Sequence, residues 1–155
     1  MCDTKKNFEK ILNELLVDTF NSILKYEGLC LKHVYNVPVT VSEAHMIESI
    51  GTEGESTISE LAVLLGITPP TATVAVKKLE HKGFLTRVRD ESDGRRSFLR
   101  LTESGIRVNK AHNLFHRQLV HNISGQFNDV EKEVLLVAIQ KISQFFKKQV
   151  NLNEF

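Results

Sequence analysis

The chain has 155 residues, 20 basic and 19 acidic, a formal net charge of +1, and 41% hydrophobic content. That length suits one domain, or one lobe with helical extensions, and the apolar content with only three prolines excludes a disordered chain. No apolar run is long enough to span a bilayer, the start Met1-Cys2-Asp3-Thr4-Lys5-Lys6 has no secretory apolar region, and two cysteines, Cys2 and Cys30, make no disulfide framework. A cytoplasmic chain with no membrane partner is expected, and any binding to nucleic acid must rest on local positive charge.

Residues 7–34 carry a long amphipathic helical pattern, with Leu16, Phe20, Ile23, Glu27 and Leu31 on one stripe. Pro38 breaks it, and Ser42 is expected to cap a second helix that runs to about Ile50. Thr57, followed three residues later by Glu60, forms a capping box ahead of the apolar run Leu61, Ala62, Leu64, Leu65. Gly66 ends that helix, where a residue without Cβ takes positive φ. Thr68 caps the next helix, and Pro69 suits its first position because the missing N–H has no partner there.

This helix runs to about His81, with Gly83 ending it. Ala72, Val76 and Leu79 fall at core spacing, so Thr71, Thr73, Val74 and Lys77 point elsewhere. A helix pair of this kind is either an ordinary αα-hairpin or a helix-turn-helix. Residues 84–89 and 97–101 then alternate as strands around a polar loop. Five of the seven arginines (Arg87, Arg89, Arg95, Arg96 and Arg100) sit in this hairpin. Their concentration directly after the helix pair favours contacts to phosphates and the minor groove. Asp93 is expected to pair with a nearby arginine and shape the loop.

Thr102 and Glu103 start a further helix to about Ile123, followed by Gly125. Asn128 with Glu131 starts the last helix, which runs to about Val150. The expected fold is mainly α with a small β-wing, in a single unit over 1–155. A winged helix-turn-helix lobe at about 37–102 lies between long helical regions at about 7–34 and 103–150. These terminal helices lack partner surface within one chain, so a homodimer on an inverted repeat of double-stranded DNA is expected. The DNA-facing residues are taken as Thr68, Pro70, Thr71, Thr73, Lys77, Arg95 and Arg96.

The run Asp93-Gly94-Arg95-Arg96-Ser97-Phe98-Leu99-Arg100-Leu101-Thr102 resembles the wing signature of MarR-type regulators, an Asp-x-Arg followed by Leu-Thr. Glu60-Leu61-Ala62 and Gly66-Ile67-Thr68 match the helix-turn-helix of that family, and the helical flanks extend the resemblance over nearly the whole chain. By this resemblance Arg95 is the wing arginine that enters the minor groove.

His112 and His116 stand i, i+4, so both rings project from one helix face, on an apolar stripe with Val108, Phe115 and Leu119. Such a pair is either satisfied in the core or binds a metal. Glu27 also lies on an apolar stripe, where a carboxylate needs a partner or a cation. Together with His45, these residues resemble the main metal site of the zinc-responsive MarR branch, the repressors of zinc uptake. The resemblance implies a Zn²⁺ site of Glu27, His45, His112 and His116, although Co²⁺, Ni²⁺ or Mn²⁺ also suit such ligands. A second site in that branch uses a cysteine and two glutamates. The corresponding positions here hold His33, Ala44 and Ala111, so that site is expected to be absent or rebuilt. Cys30 is expected to be a buried thiol.

Two other readings stand beside a zinc-dependent repressor. In one, a MarR-type regulator is released from DNA by a phenolic or acyl ligand, and the histidines line its pocket. In the other, the chain is a zinc hydrolase. His112-Asn113-Leu114-Phe115-His116 lacks the glutamate that the metalloprotease motif needs after its first histidine, and a fourth protein ligand would fill the position of the catalytic water, so no enzyme is expected.

Overall fold

The computed structural model describes residues 2–54, 56–90 and 96–152. In chain order the elements are α1 (Cys2–Leu29), α2 (Val41–Ile50), α3 (Ile58–Leu65), α4 (Pro69–His81), β1 (Leu85–Arg89), β2 (Ser97–Leu101), α5 (Glu103–Ser124) and α6 (Asp129–Leu152). The result is mainly helical with one small antiparallel sheet, as the periodicities predict. The chain divides into two compact units, Met1–Phe115 and His116–Phe155.

In the first unit, α1 does not continue unbroken to Val34. It passes into a π-helical segment, Cys30–Val34, in which the Tyr35 N–H donates to the Cys30 carbonyl five residues back at 3.0 Å. Asn36, at φ 51°, then turns the chain ahead of Pro38. A widened turn of this kind has no signature in apolar spacing, because Glu27 and Leu31 still share a buried face. The long stripe of α1 is buried only at that end. Glu27 and Leu31 are 0% exposed, whereas Phe20 is 64% exposed.

Ser42 does not cap α2. Thr40 does, in a capping box in which its hydroxyl accepts from the Glu43 N–H at 3.2 Å and its own N–H donates to Glu43 Oε2 at 3.0 Å. The Thr40-x-x-Glu43 spacing satisfies two orphan donors at once, which Ser42 has no glutamate in register to do. The same device opens α3, where the Thr57 N–H donates to Glu60 Oε2 at 2.8 Å and the Glu60 N–H to Thr57 Oγ1 at 3.3 Å.

The core of this unit gathers Leu31, Ala44, Ile47, Leu61, Val76, Leu79, Leu85 and Leu99. Ala72, Val76 and Leu79 are the buried residues of α4, as their spacing predicts. The two strands pair in the register Leu85↔Leu101, Arg87↔Leu99 and Arg89↔Ser97. An isolated bridge from Ser56 to Leu99, with Leu99 N–H donating to the Ser56 carbonyl at 2.8 Å, ties the segment before α3 to the hairpin. Thr102 caps α5 through the Gly105 N–H at 3.2 Å and anchors it to the end of α4 by donating to the Gly83 carbonyl at 2.7 Å.

In the second unit, α6 starts at the expected capping box. The Asn128 N–H donates to Glu131 Oε2 at 2.9 Å, and the Glu131 N–H to Asn128 Oδ1 at 3.0 Å. Val134, Ile139, Phe145 and Phe146 of α6 are exposed. Among the described residues no single helix is long and apolar enough to cross a membrane.

Candidate metal centre and nucleic-acid surface

Three helices bring three ligand-type side chains together in the first unit. The end of α1 supplies Glu27, α2 supplies His45 and α5 supplies His112. Their nearest ligand atoms all lie within 4.8 Å of one another. Glu27 Oε1 is 2.8 Å from His112 Nε2 and 3.1 Å from His45 Nε2. The two imidazoles meet edge to face, with centroids 5.0 Å apart and an interplanar angle of 69°.

Glu27 and His112 are 0% exposed, while the His45 side chain is 42% exposed and opens the cluster to solvent. A wholly buried carboxylate is costly unless it is paired. Here one oxygen takes both histidines, and Glu27 Oε2 has no hydrogen-bond partner among the described residues. One carboxylate and two imidazoles, with a buried oxygen still to be satisfied, form a donor set that fits Zn²⁺ or a related divalent ion. His116 lies one turn beyond His112 on the same helix and is half-buried.

Sequence reasoning missed Glu48, whose Oε2 is 3.5 Å from His112 Nδ1. Its signal was its position one turn after His45 on α2. Sequence reasoning also missed Glu43, two residues before His45. Its carboxylate receives Lys82 Nζ at 2.8 and 2.9 Å and Lys78 Nζ at 2.9 Å, so α2 is clamped to the C-terminal end of α4. Burial pushes the Glu43 carboxyl up. The Lys82 ammonium, the Thr40 N–H and the Lys78 ammonium outweigh that effect and hold it down at about 2. Cys30 is buried as expected, His33 is exposed, and Ala44 is sealed in the core.

The second surface is built on α3 and α4, which cross at 111°, within the range of about 90–120° that characterises a helix-turn-helix. Gly66 makes the turn at φ 61°, and Ile67 N–H closes it on the Ala62 carbonyl at 3.0 Å. Thr68, Pro70, Thr71 and Lys77 are exposed on α4 or at its start. Thr73 is half-buried, and its hydroxyl donates to the Pro69 carbonyl at 2.8 Å.

In the hairpin, Arg87 Nε lies 3.2 Å from Glu80 Oε2, which ties β1 to α4. Arg96 is exposed, 4.0 Å from Glu60 and 5.4 Å above the Phe98 ring. The Thr57 N–H and hydroxyl hold the Glu60 carboxyl below its ordinary value, against an opposing effect of burial and with a smaller contribution from the Arg96 charge. Arg95 and the expected pairing of Asp93 lie outside the described residues.

The MarR family model matches residues 39–97 of this chain. A crystal structure of Streptococcus pneumoniae FabT in complex with DNA superposes with a TM-score of 0.85 at 30% identity, covering 91% of this chain and 99% of that one. The chain belongs to the MarR family. The family's members are transcriptional regulators and not enzymes, so the hydrolase reading falls away. Relatives include the transcriptional regulator ZitR of Lactococcus lactis, 28% identical over 126 residues, with 79% of this chain and 86% of that protein covered. The uncharacterized helix-turn-helix regulator YwhA of Bacillus subtilis is 28% identical over 118 residues, with 76% and 81% covered.

Proposed function

We propose that this MarR-family regulator is a zinc-dependent, cytoplasmic homodimeric repressor of metal-uptake genes that binds an inverted-repeat operator. The observation that carries the reading is the convergence of Glu27, His45 and His112 from three separate helices around a buried carboxylate. His116, one turn along α5, is the fourth ligand. The ion would supply positive charge to the buried Glu27. These side chains, once holding it, fix α1, α2 and α5 against one another.

Because α2 is clamped to α4 through Glu43 and α5 to the end of α4 through Thr102, fixing those helices favours one placement of the DNA-reading surface. Zinc then acts as co-repressor by binding the DNA-competent form more tightly. Thr68, Pro70, Thr71, Thr73 and Lys77 face the major groove, with Arg95 and Arg96 on the wing. Exposed Phe8, Leu15 and Phe20 of α1, and Phe145 and Phe146 of α6, support burial against a second copy.

A second reading is a MarR-type regulator released from DNA by a small organic ligand. It is favoured by a cleft of about 590 Å³ lined by Gly28, Lys32, Val37, Val41 and Lys82. A zinc titration followed by operator binding decides between them, using wild type and His116→Ala. Zinc-tightened binding that His116→Ala abolishes, with helicity unchanged, supports the first reading. Equal operator affinity with zinc and with chelator overturns it and leaves the second.

A further inference from the structure

The exposed face of α4 has an unusual composition for a surface that reads DNA. Opposite the buried Ala72, Val76 and Leu79 stand Pro70, Thr71, Val74 and Lys77, and Val74 is 69% exposed. From Thr68 to Lys78 there is no Arg, Asn, Gln, Asp or Glu. The amides that pair with adenine, the carboxylates that accept from cytosine and the arginine fork for guanine are therefore missing from this stretch, which leaves Lys77 and Lys78 as its long polar side chains.

Apart from Lys77, the polar side chains of this stretch are already engaged. Thr73 donates its hydroxyl proton to the Pro69 carbonyl at 2.8 Å. Thr68 and Thr71 share a hydroxyl–hydroxyl bond of 2.8 Å, and the Thr71 N–H is directed at Thr68 Oγ1 at 3.4 Å. Lys78 Nζ is 2.9 Å from Glu43 Oε1. What this face offers a base edge is methyl and ring surface, flanked by the Lys77 charge, which suits a phosphate. A β-branched residue exposed on a helix gains nothing in propensity, and no packing contact in the core calls for Val74.

In the major groove, the base feature that apolar surface distinguishes is the C5-methyl of thymine. We infer that α4 reads thymine methyl groups in each half-site and that Val74 is the residue that makes the discrimination. This rests on the operator-binding reading above.

The test uses the full chain with Zn²⁺ present and a duplex chosen by in vitro selection from a random pool. Each dT of a half-site is replaced in turn by dU, which removes only the methyl group, and binding is followed by fluorescence anisotropy. At one or two positions per half-site dU weakens binding about fourfold, the worth of one buried methyl. In Val74→Ala, an exposed change that leaves the thermal melt in place, dT and dU bind alike at those positions.

Tight binding by wild type with no dU position differing by more than about twofold overturns this inference and leaves the regulator reading intact. A dU effect that persists unchanged in Val74→Ala overturns the assignment to Val74. Failure to select any preferred duplex removes the operator-binding reading and this inference with it.

Discussion

Replacing Glu43 by glutamine removes a negative charge enclosed by two lysines and a helix start. The carboxylate is 8% exposed, with Lys82 Nζ at 2.8 and 2.9 Å and Lys78 Nζ at 2.9 Å. Its folded-state value of about 2, against an ordinary 4.5, corresponds to about 3 kcal/mol in favour of the ionised form, at ~1.4 kcal/mol per pH unit. Lys78 is 60% exposed and Lys82 35% exposed, and water screens part of that interaction, so the expected loss in Glu43→Gln is about 2 kcal/mol near neutral pH.

The pH dependence has a definite sign. The carboxyl titrates lower in the folded chain than in the unfolded one, so its contribution is whole above about 4.5 and disappears as pH falls toward about 2. Wild type loses that stability across this window, whereas Glu43→Gln has none to lose. The stability gap between the two, measured by urea unfolding at a series of pH values, should therefore close on acidification. A gap below about 0.5 kcal/mol near neutral pH, or one that stays constant through the acid range, would refute the reasoning.

Two further outcomes follow from particular contacts. A Cβ at Gly105 would overlap the Phe84 carbonyl oxygen, so Gly105→Ala should destabilise by about 1–3 kcal/mol despite the better helix former; a raised melting temperature would contradict this. Glu27→Gln keeps the shape of the buried side chain but not its charge. If the cluster holds zinc, its affinity in a chelator competition should fall by at least the ~10–100-fold that outer-shell partners alone contribute, and unchanged affinity would remove Glu27 from the ligand set.

Local signals in the chain account for most of the elements. The capping boxes at Thr57-x-x-Glu60 and Asn128-x-x-Glu131, the glycine at Gly66, and the alternation on either side of the polar loop mark the helices and strands where they stand. The Thr40-x-x-Glu43 box is equally legible, and Thr40 caps in place of Ser42 because Glu43 returns a bond to the Thr40 N–H. The i, i+4 spacing of His112 and His116 was legible too, because a helix puts such residues on one face whatever surrounds it.

The widening at Cys30–Val34 was not legible because it leaves the apolar spacing unchanged, and the bridge from Ser56 to Leu99 was not legible because its two residues are distant in sequence. The same holds for the candidate site. Sequence alone determined that Glu27 and His112 each sit on an apolar face and so need compensation. The family resemblance groups them in one site, but only the tertiary structure decided that they contact each other directly, 85 residues apart, at 2.8 Å. Helical period sets the direction of a side chain within its own helix, but which charges meet depends on how α1, α2 and α5 pack.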